Sequence, residues 1–124
     1  MTENILTAHP GLDGIFAANE GGVLGAAEAV RRADKTGEIA MVGWDASPDE
    51  IAALKEGVVS VLVTQNPFKM GYEGVNAALQ LIRTGKTPKS EETGTYYITK
   101  DNVEDPKIKA VYEPSCQDPP LFDD

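Results

Sequence analysis

The chain has 124 residues, 41% of them apolar, one cysteine and a net charge of −9. That length suits a single modest core, and that apolar share is ordinary for a globular chain rather than a disordered or membrane protein. An acidic chain without clustered Lys and Arg argues against a nucleic-acid partner, and the lone Cys116 leaves no internal disulfide and no thiolate metal site.

Met1 to Ala8 reads as the end of a helix, stopped by His9-Pro10-Gly11, so the chain is expected to start partway through a fold. No charged-then-apolar leader opens it, and no signal peptide is expected in this chain. Gly14–Ala18 is a strand ending at Asn19-Glu20. A helix is predicted from Gly21 to Ala33, with Leu24, Ala27 and Val30 on one side and Arg31, Arg32 and Lys35 near its carboxyl end, where cations complement the dipole. Gly37 is the expected left-handed residue after it, and Gly21, Gly22 and Gly25 suggest close backbone approach.

Ile39–Val42 is a short buried strand, followed by Gly43 and a turn carrying Trp44 and Asp45. Ser47 as N-cap, Pro48 at the first helical position and Glu50 three residues after the cap spell out a capping box. That helix closes at Gly57. Val58–Thr64 is the strongest strand, β-branched and almost wholly apolar, and it ends at Gln65-Asn66-Pro67. A helix from Pro67 to Thr84 carries Phe68, Tyr72, Val75, Leu79 and Ile82 at helical spacing, with Gly85 closing it. After a polar loop, Thr95–Thr99 is a last strand at an edge, and beyond Asp101 an acidic, proline-rich stretch reads as an extended tail.

Helices alternating with strands predict an α/β fold: a parallel sheet of βαβ units flanked by helices in three layers. Asn19, Asp45 and Gln65 then project from one edge of that sheet, the edge where open α/β folds bind ligands. Two amides and a carboxylate offer donors and acceptors to vicinal hydroxyls but no nucleophile, and Trp44 adds a flat apolar face of the kind that packs on a sugar ring. Each is also a type found in ordinary turns and caps; their recurrence on three successive strands favours a site. GGVLG lacks the first glycine of a dinucleotide loop. Asn19-Glu20 is a poor acidic pair for a phospho-acceptor site at Asp45, and His9 has no ligand partner at metal spacing.

The segments GIFAANE, MVGWDASPD and VTQNPFKMGYEGV resemble the ribose-type periplasmic sugar-binding proteins that feed ABC importers, over about Asn4 to Asn102. The resemblance implies the type I periplasmic binding fold, non-catalytic binding of a pentose or hexose by Asn19, Asp45 and Gln65 with Trp44 lining the pocket, and no cofactor. It further implies a membrane permease as partner and a periplasmic location for the full-length protein. Glu20 stands where the family has aspartate, and Trp44 where it usually has phenylalanine. By the same resemblance, residues 1–65 belong to the C-terminal lobe, while 66–103 form a crossover helix and strand of the N-terminal lobe, nearly all of which is missing. Residues 104–124 are the tail. The stripe on the Pro67–Thr84 helix would then lack its partner, and pairing of two chains through that helix is expected. The effector-binding part of a lactose-repressor-type regulator is the alternative. A flavodoxin-like enzyme or signalling domain would need a phosphate loop or acidic cluster that the sequence lacks.

Overall fold

Residues 1–115 are described in the computed structural model, as α1 (Thr2–Ala8), β1 (Gly14–Ala17), α2 (Glu20–Arg32), β2 (Ala40–Trp44), α3 (Pro48–Glu56), β3 (Val61–Gln65), α4 (Pro67–Thr84), β4 (Thr95–Ile98) and α5 (Pro106–Tyr112). The strands form one sheet in the order β1-β2-β3-β4. β1, β2 and β3 are parallel, as the alternation of helix and strand requires.

β4 departs from that rule and runs antiparallel to β3. It begins with Thr95 beside Gln65, the last residue of β3, so it enters the sheet where β3 leaves it and can only run back. The expected division of the chain after Gln65 set this strand apart from the first 65 residues. Here it hydrogen-bonds along β3, and Ile98 is buried in the same core.

Alternation along the strands gives the sheet two unlike faces. Ala17, Gly43, Leu62 and Ile98 form one transverse row, with Ile15 and Met41 in the next, and this face is covered by α2 and α3 through Val23, Ala27, Val30, Ala53 and Leu54. α1 adds Leu6 against α2. Gly43 is the tightest point: a Cβ there would come within 2.8 Å of both Leu62 and Val23. The opposite face carries Phe16, Val42, Trp44, Val61, Val63 and Tyr97, and its outer positions, Phe16 and Tyr97, are exposed. α4 buries none of its residues. Among the described residues, the packing of helices on the sheet is therefore close on the α2–α3 side only.

Several local expectations shift, each for a visible reason. β3 starts at Val61 rather than Val58 because the N–H groups of Gly57, Val58 and Val59 all donate back to carbonyls at the end of α3. Trp44 is the last residue of β2, paired with Val63, and not part of the turn. α2 is closed by Asp34 at φ +57, with Lys35 N donating to Val30 O, while left-handed Gly37 belongs to the turn before β2. Of the three glycines opening α2, only Gly22 is closely approached, since a Cβ there would lie 3.3 Å from Asn19 Oδ1; Gly25 has open space.

The stretch after Asp101 is not simply an extended tail. Asp105 caps a helix by accepting from Lys107 N, Pro106 takes its first turn, and Val103 and Val111 are buried against the core. A Lys55–Glu104 ion pair of 2.7 Å ties this segment to α3. Residues 116–124, including Cys116, lie outside the described residues.

Two glycine substitutions should have opposite signs. Gly43→Ala is predicted to destabilise by about 1–3 kcal/mol through overpacking against Leu62 and Val23. Gly25→Ala, inside α2 with nothing near its Cβ, should stabilise by up to about 1 kcal/mol. Urea denaturation reads both; a tolerated Gly43→Ala would contradict the close packing of α2 on β2.

Candidate functional site

Because β1, β2 and β3 are parallel and in register, their carboxyl ends finish at one edge. Asn19 lies two residues past β1, Asp45 one past β2, and Gln65 ends β3. Two inter-strand steps separate the outer pair, a span of about 10 Å that matches a single sugar ring with its hydroxyls.

Asn19 has a structural duty as well: its Oδ1 caps α2 by accepting from Gly22 N at 2.8 Å. That fixes the side chain and leaves its amide N–H groups without a hydrogen-bond partner among the described residues. Asn66 likewise caps α4, accepting from Lys69 N at 2.9 Å, and is itself buried. It is therefore Gln65, with a half-buried side chain and no hydrogen bond from it among the described residues, that is available at the end of β3.

Asp45 is held most unusually. Its backbone sits at φ +88, a left-handed conformation that for a residue other than glycine costs on the order of 1–3 kcal/mol. Two contacts enforce it: Asp45 N donates to Val63 O at 2.9 Å, and two residues later the Ser47–Glu50 capping box locks the start of α3. The carboxylate is exposed and makes no hydrogen bond or ion pair among the described residues. Asp45 and Gln65 open onto a cleft of about 360 Å³ whose other walls include Thr64, Met70, Tyr112 and Pro114. Asn19 and Trp44 do not line this cleft, and Trp44 stands with Val63 on the open face of the sheet. The structure thus brings Asp45 and Gln65 into one cavity and leaves Asn19 and Trp44 outside its lining.

Tyr112 and Pro114 escaped the reading of the sequence because they follow the acidic stretch. The signal was present as Ile108, Val111 and Tyr112 at helical spacing after Asp105-Pro106. Tyr112 is anchored by its hydroxyl, which donates to Val103 O at 2.8 Å.

Glu50 is the other residue whose surroundings could not be foreseen. One carboxylate oxygen accepts from Ser47 N at 2.8 Å; the other is buried without a hydrogen-bond partner among the described residues. Burial pushes its carboxyl above the ordinary value of 4.5, and the negative charges of Asp45 and Glu20 add to the effect, against the hydrogen bonds from Ser47. The edge is thus acidic, rich in acceptors, and suited to hydroxyl donors. Among the described residues, no group of His, Cys, Asp and Glu is placed to hold a metal ion.

Residues 1–87 match the model of a family described as a periplasmic binding protein domain. The ribose import binding protein of Salmonella typhimurium is 36% identical over 86 residues, 69% of this chain and 29% of that protein. The D-allose-binding periplasmic protein of Escherichia coli is 32% identical over 86 residues, 69% of this chain and 28% of that protein. Among solved structures, an ABC transporter solute-binding protein from Agrobacterium vitis with bound D-fucose superposes with a TM-score of 0.85 at 34% identity, over 90% of this chain and 38% of that one. The chain therefore spans less than a third of the length of these curated relatives. A LacI-type regulator from Bacteroides fragilis, at 20% identity and a TM-score of 0.71, shares the fold.

The raised carboxyl of Glu50 gives a signed pH effect. Between its unfolded and its higher folded pKa the native state binds more protons, so its ionisation lowers stability as pH rises from 4.5 upward. Measured against Glu50→Gln, which keeps the capping acceptor, the natural chain should gain relative stability as pH falls from about 7 towards the carboxylate range. A pH-independent difference in urea midpoints would place Glu50 in ordinary solvent.

Proposed function

The chain belongs to the periplasmic binding protein domain family, and on that premise we propose that the carboxyl edge of its sheet is one wall of a monosaccharide site. The observation that carries this is the convergence of Asn19, Asp45 and Gln65 on adjacent parallel strands, with Asp45 held at φ +88 and its carboxylate unengaged among the described residues. Asp45 accepts from two neighbouring hydroxyls, Gln65 donates and accepts beside it, and Asn19, its Oδ1 occupied, donates through its amide. The indole of Trp44 covers an apolar side of the ring. Binding is reversible and non-catalytic, and the ligand is a pentose or hexose.

The complete protein is a substrate-binding component outside the cytoplasm that delivers this sugar to the membrane permease of an ABC importer. The relatives named for ribose and allose, and the solute-binding protein with bound D-fucose, support the ligand class, whereas likeness to the regulator rests on fold alone. The helix Pro67–Thr84 serves as a contact surface, either for the remainder of a two-lobed protein or for a second copy.

In a two-lobed protein rebuilt around this segment, Asp45→Ala should remove charge-assisted hydrogen bonds of about 1.5–3 kcal/mol and weaken sugar binding roughly tenfold to a hundredfold. Calorimetry decides it, and unchanged affinity with an intact fold would remove Asp45 from the site. The 124-residue chain by itself leaves one side of the sugar in water, so its affinity should be no better than about millimolar. Micromolar binding by the isolated chain would show that its single wall suffices.

A further inference from the structure

Tyr112 and Pro114 share a cleft with Asp45 and Gln65, yet they come from beyond residues 1–87, the part of the chain that matches the family. The segment that carries them is fixed to the core. Val103 and Val111 are buried, the Tyr112 hydroxyl donates to Val103 O at 2.8 Å, and Lys55 pairs with Glu104 at 2.7 Å. A wall held in this way keeps its shape when a ligand enters, so it contributes selectivity without an ordering cost.

The cleft is divided by chemistry. At the sheet edge stand the carboxylate of Asp45 and the amide of Gln65, neither engaged among the described residues. On the other sides are Pro67 and Met70 near the start of α4, and Val111 and Pro114 around the end of α5. None of these four has a side-chain donor or a strong acceptor. The two hydroxyl residues of the lining have committed their protons, Thr64 to Gln65 O at 3.2 Å and Tyr112 to Val103 O. The N–H of Met70 donates to Asn66 O at 3.0 Å, and the two prolines have no N–H to give.

Hydroxyl groups are therefore met at one end of the cleft and C–H groups at the other. Its volume of about 360 Å³ lies at the low end of the roughly 300–1,000 Å³ of small-molecule sites, as a single ring requires. An apolar protein segment laid into it would bury the Asp45 carboxylate unpaired, whereas neighbouring hydroxyls satisfy it.

We propose that this cleft selects 6-deoxyhexoses over their parent hexoses, with the C5 methyl group seated against Met70, Val111 and Pro114. The inference rests on the monosaccharide reading and narrows it to a ligand class. A methyl group gains from leaving water there, while the hydroxymethyl group of the parent sugar gives up its hydrogen bonds to water and finds no side chain to replace them. An apolar pocket rejects an added hydroxyl by up to about a hundredfold.

The test is an NMR titration of the full chain, following backbone amides together with the Met and Val methyl groups. Three pairs of sugars that differ only in the C6 hydroxyl cover three ring configurations: D-fucose and D-galactose, D-quinovose and D-glucose, L-rhamnose and L-mannose. In the pair that contains the tightest ligand, the deoxy sugar should bind roughly tenfold to a hundredfold more tightly, and should move the methyl signals of Met70 and Val111. Met70→Gln keeps a good helix former at a partly exposed position and adds a donor to the wall, so it should shrink that ratio several-fold. Pro114→Ser repeats the comparison from the opposite wall should Met70→Gln fail to fold. Equal or tighter binding of the parent hexose overturns the proposal, as does a ratio unmoved by the variant, or shifts at Asp45 and Gln65 without the two methyl groups. Each of those results leaves the monosaccharide site standing. No saturable shift with any of the six sugars removes the site itself, and the proposal with it.

Discussion

The parallel register of β1, β2 and β3 is the constraint on which the rest depends. Pairing Ala17 with Gly43 and Trp44 with Val63 makes three strands end together, so residues far apart in sequence share one edge. That register rests on the covered face, where Val23 and Leu62 close over Gly43 and any side chain at that position would force α2 away. A shift of one residue would turn Met41 and Leu62 out of the core and Asp45 and Gln65 away from their common edge. Packing on one side of the sheet therefore fixes the chemistry at its end.

At that edge, stability is traded locally for placement. Asp45 occupies a backbone region that disfavours its type, and Glu50 buries a carboxylate oxygen with no partner among the described residues. Both unfavourable features flank the same turn, and the Ser47 cap that uses Glu50 also holds the backbone next to Asp45. Strain gathered around a carboxylate unengaged among the described residues is characteristic of binding sites, where a fixed acceptor loses less entropy on capturing its ligand.

Much of this was legible in the residues because helix starts and stops are chemically explicit. Ser47-Pro48-Asp49-Glu50, Asn66-Pro67, Gly57 and Gly85 all act as their types suggest, and the three candidate positions lie at or just past strand ends as the alternating pattern implies. What was not legible depends on contacts between distant segments. Nothing in Thr95–Ile98 sets its direction; only the return of the chain beside Gln65 makes it antiparallel. The acidic, proline-rich composition after Asp101 hid a capped helix whose apolar side meets the core. The burial of Glu50 and the open space around Gly25 likewise follow from packing rather than from local pattern.

The central claim is that Asn19, Asp45 and Gln65 at one sheet edge meet a monosaccharide. The most direct test is a heteronuclear NMR titration of the isotope-labelled chain with ribose, allose and fucose, taken to roughly tens of millimolar as a half-open site demands. The account predicts shift changes concentrated at residues 18–22, 44–47 and 64–67, with the indole N–H of Trp44 among them. Changes centred instead on the groove between α1 and α2, around Leu6, Arg32 and Lys35, or no saturable change with any of the three sugars, would contradict it.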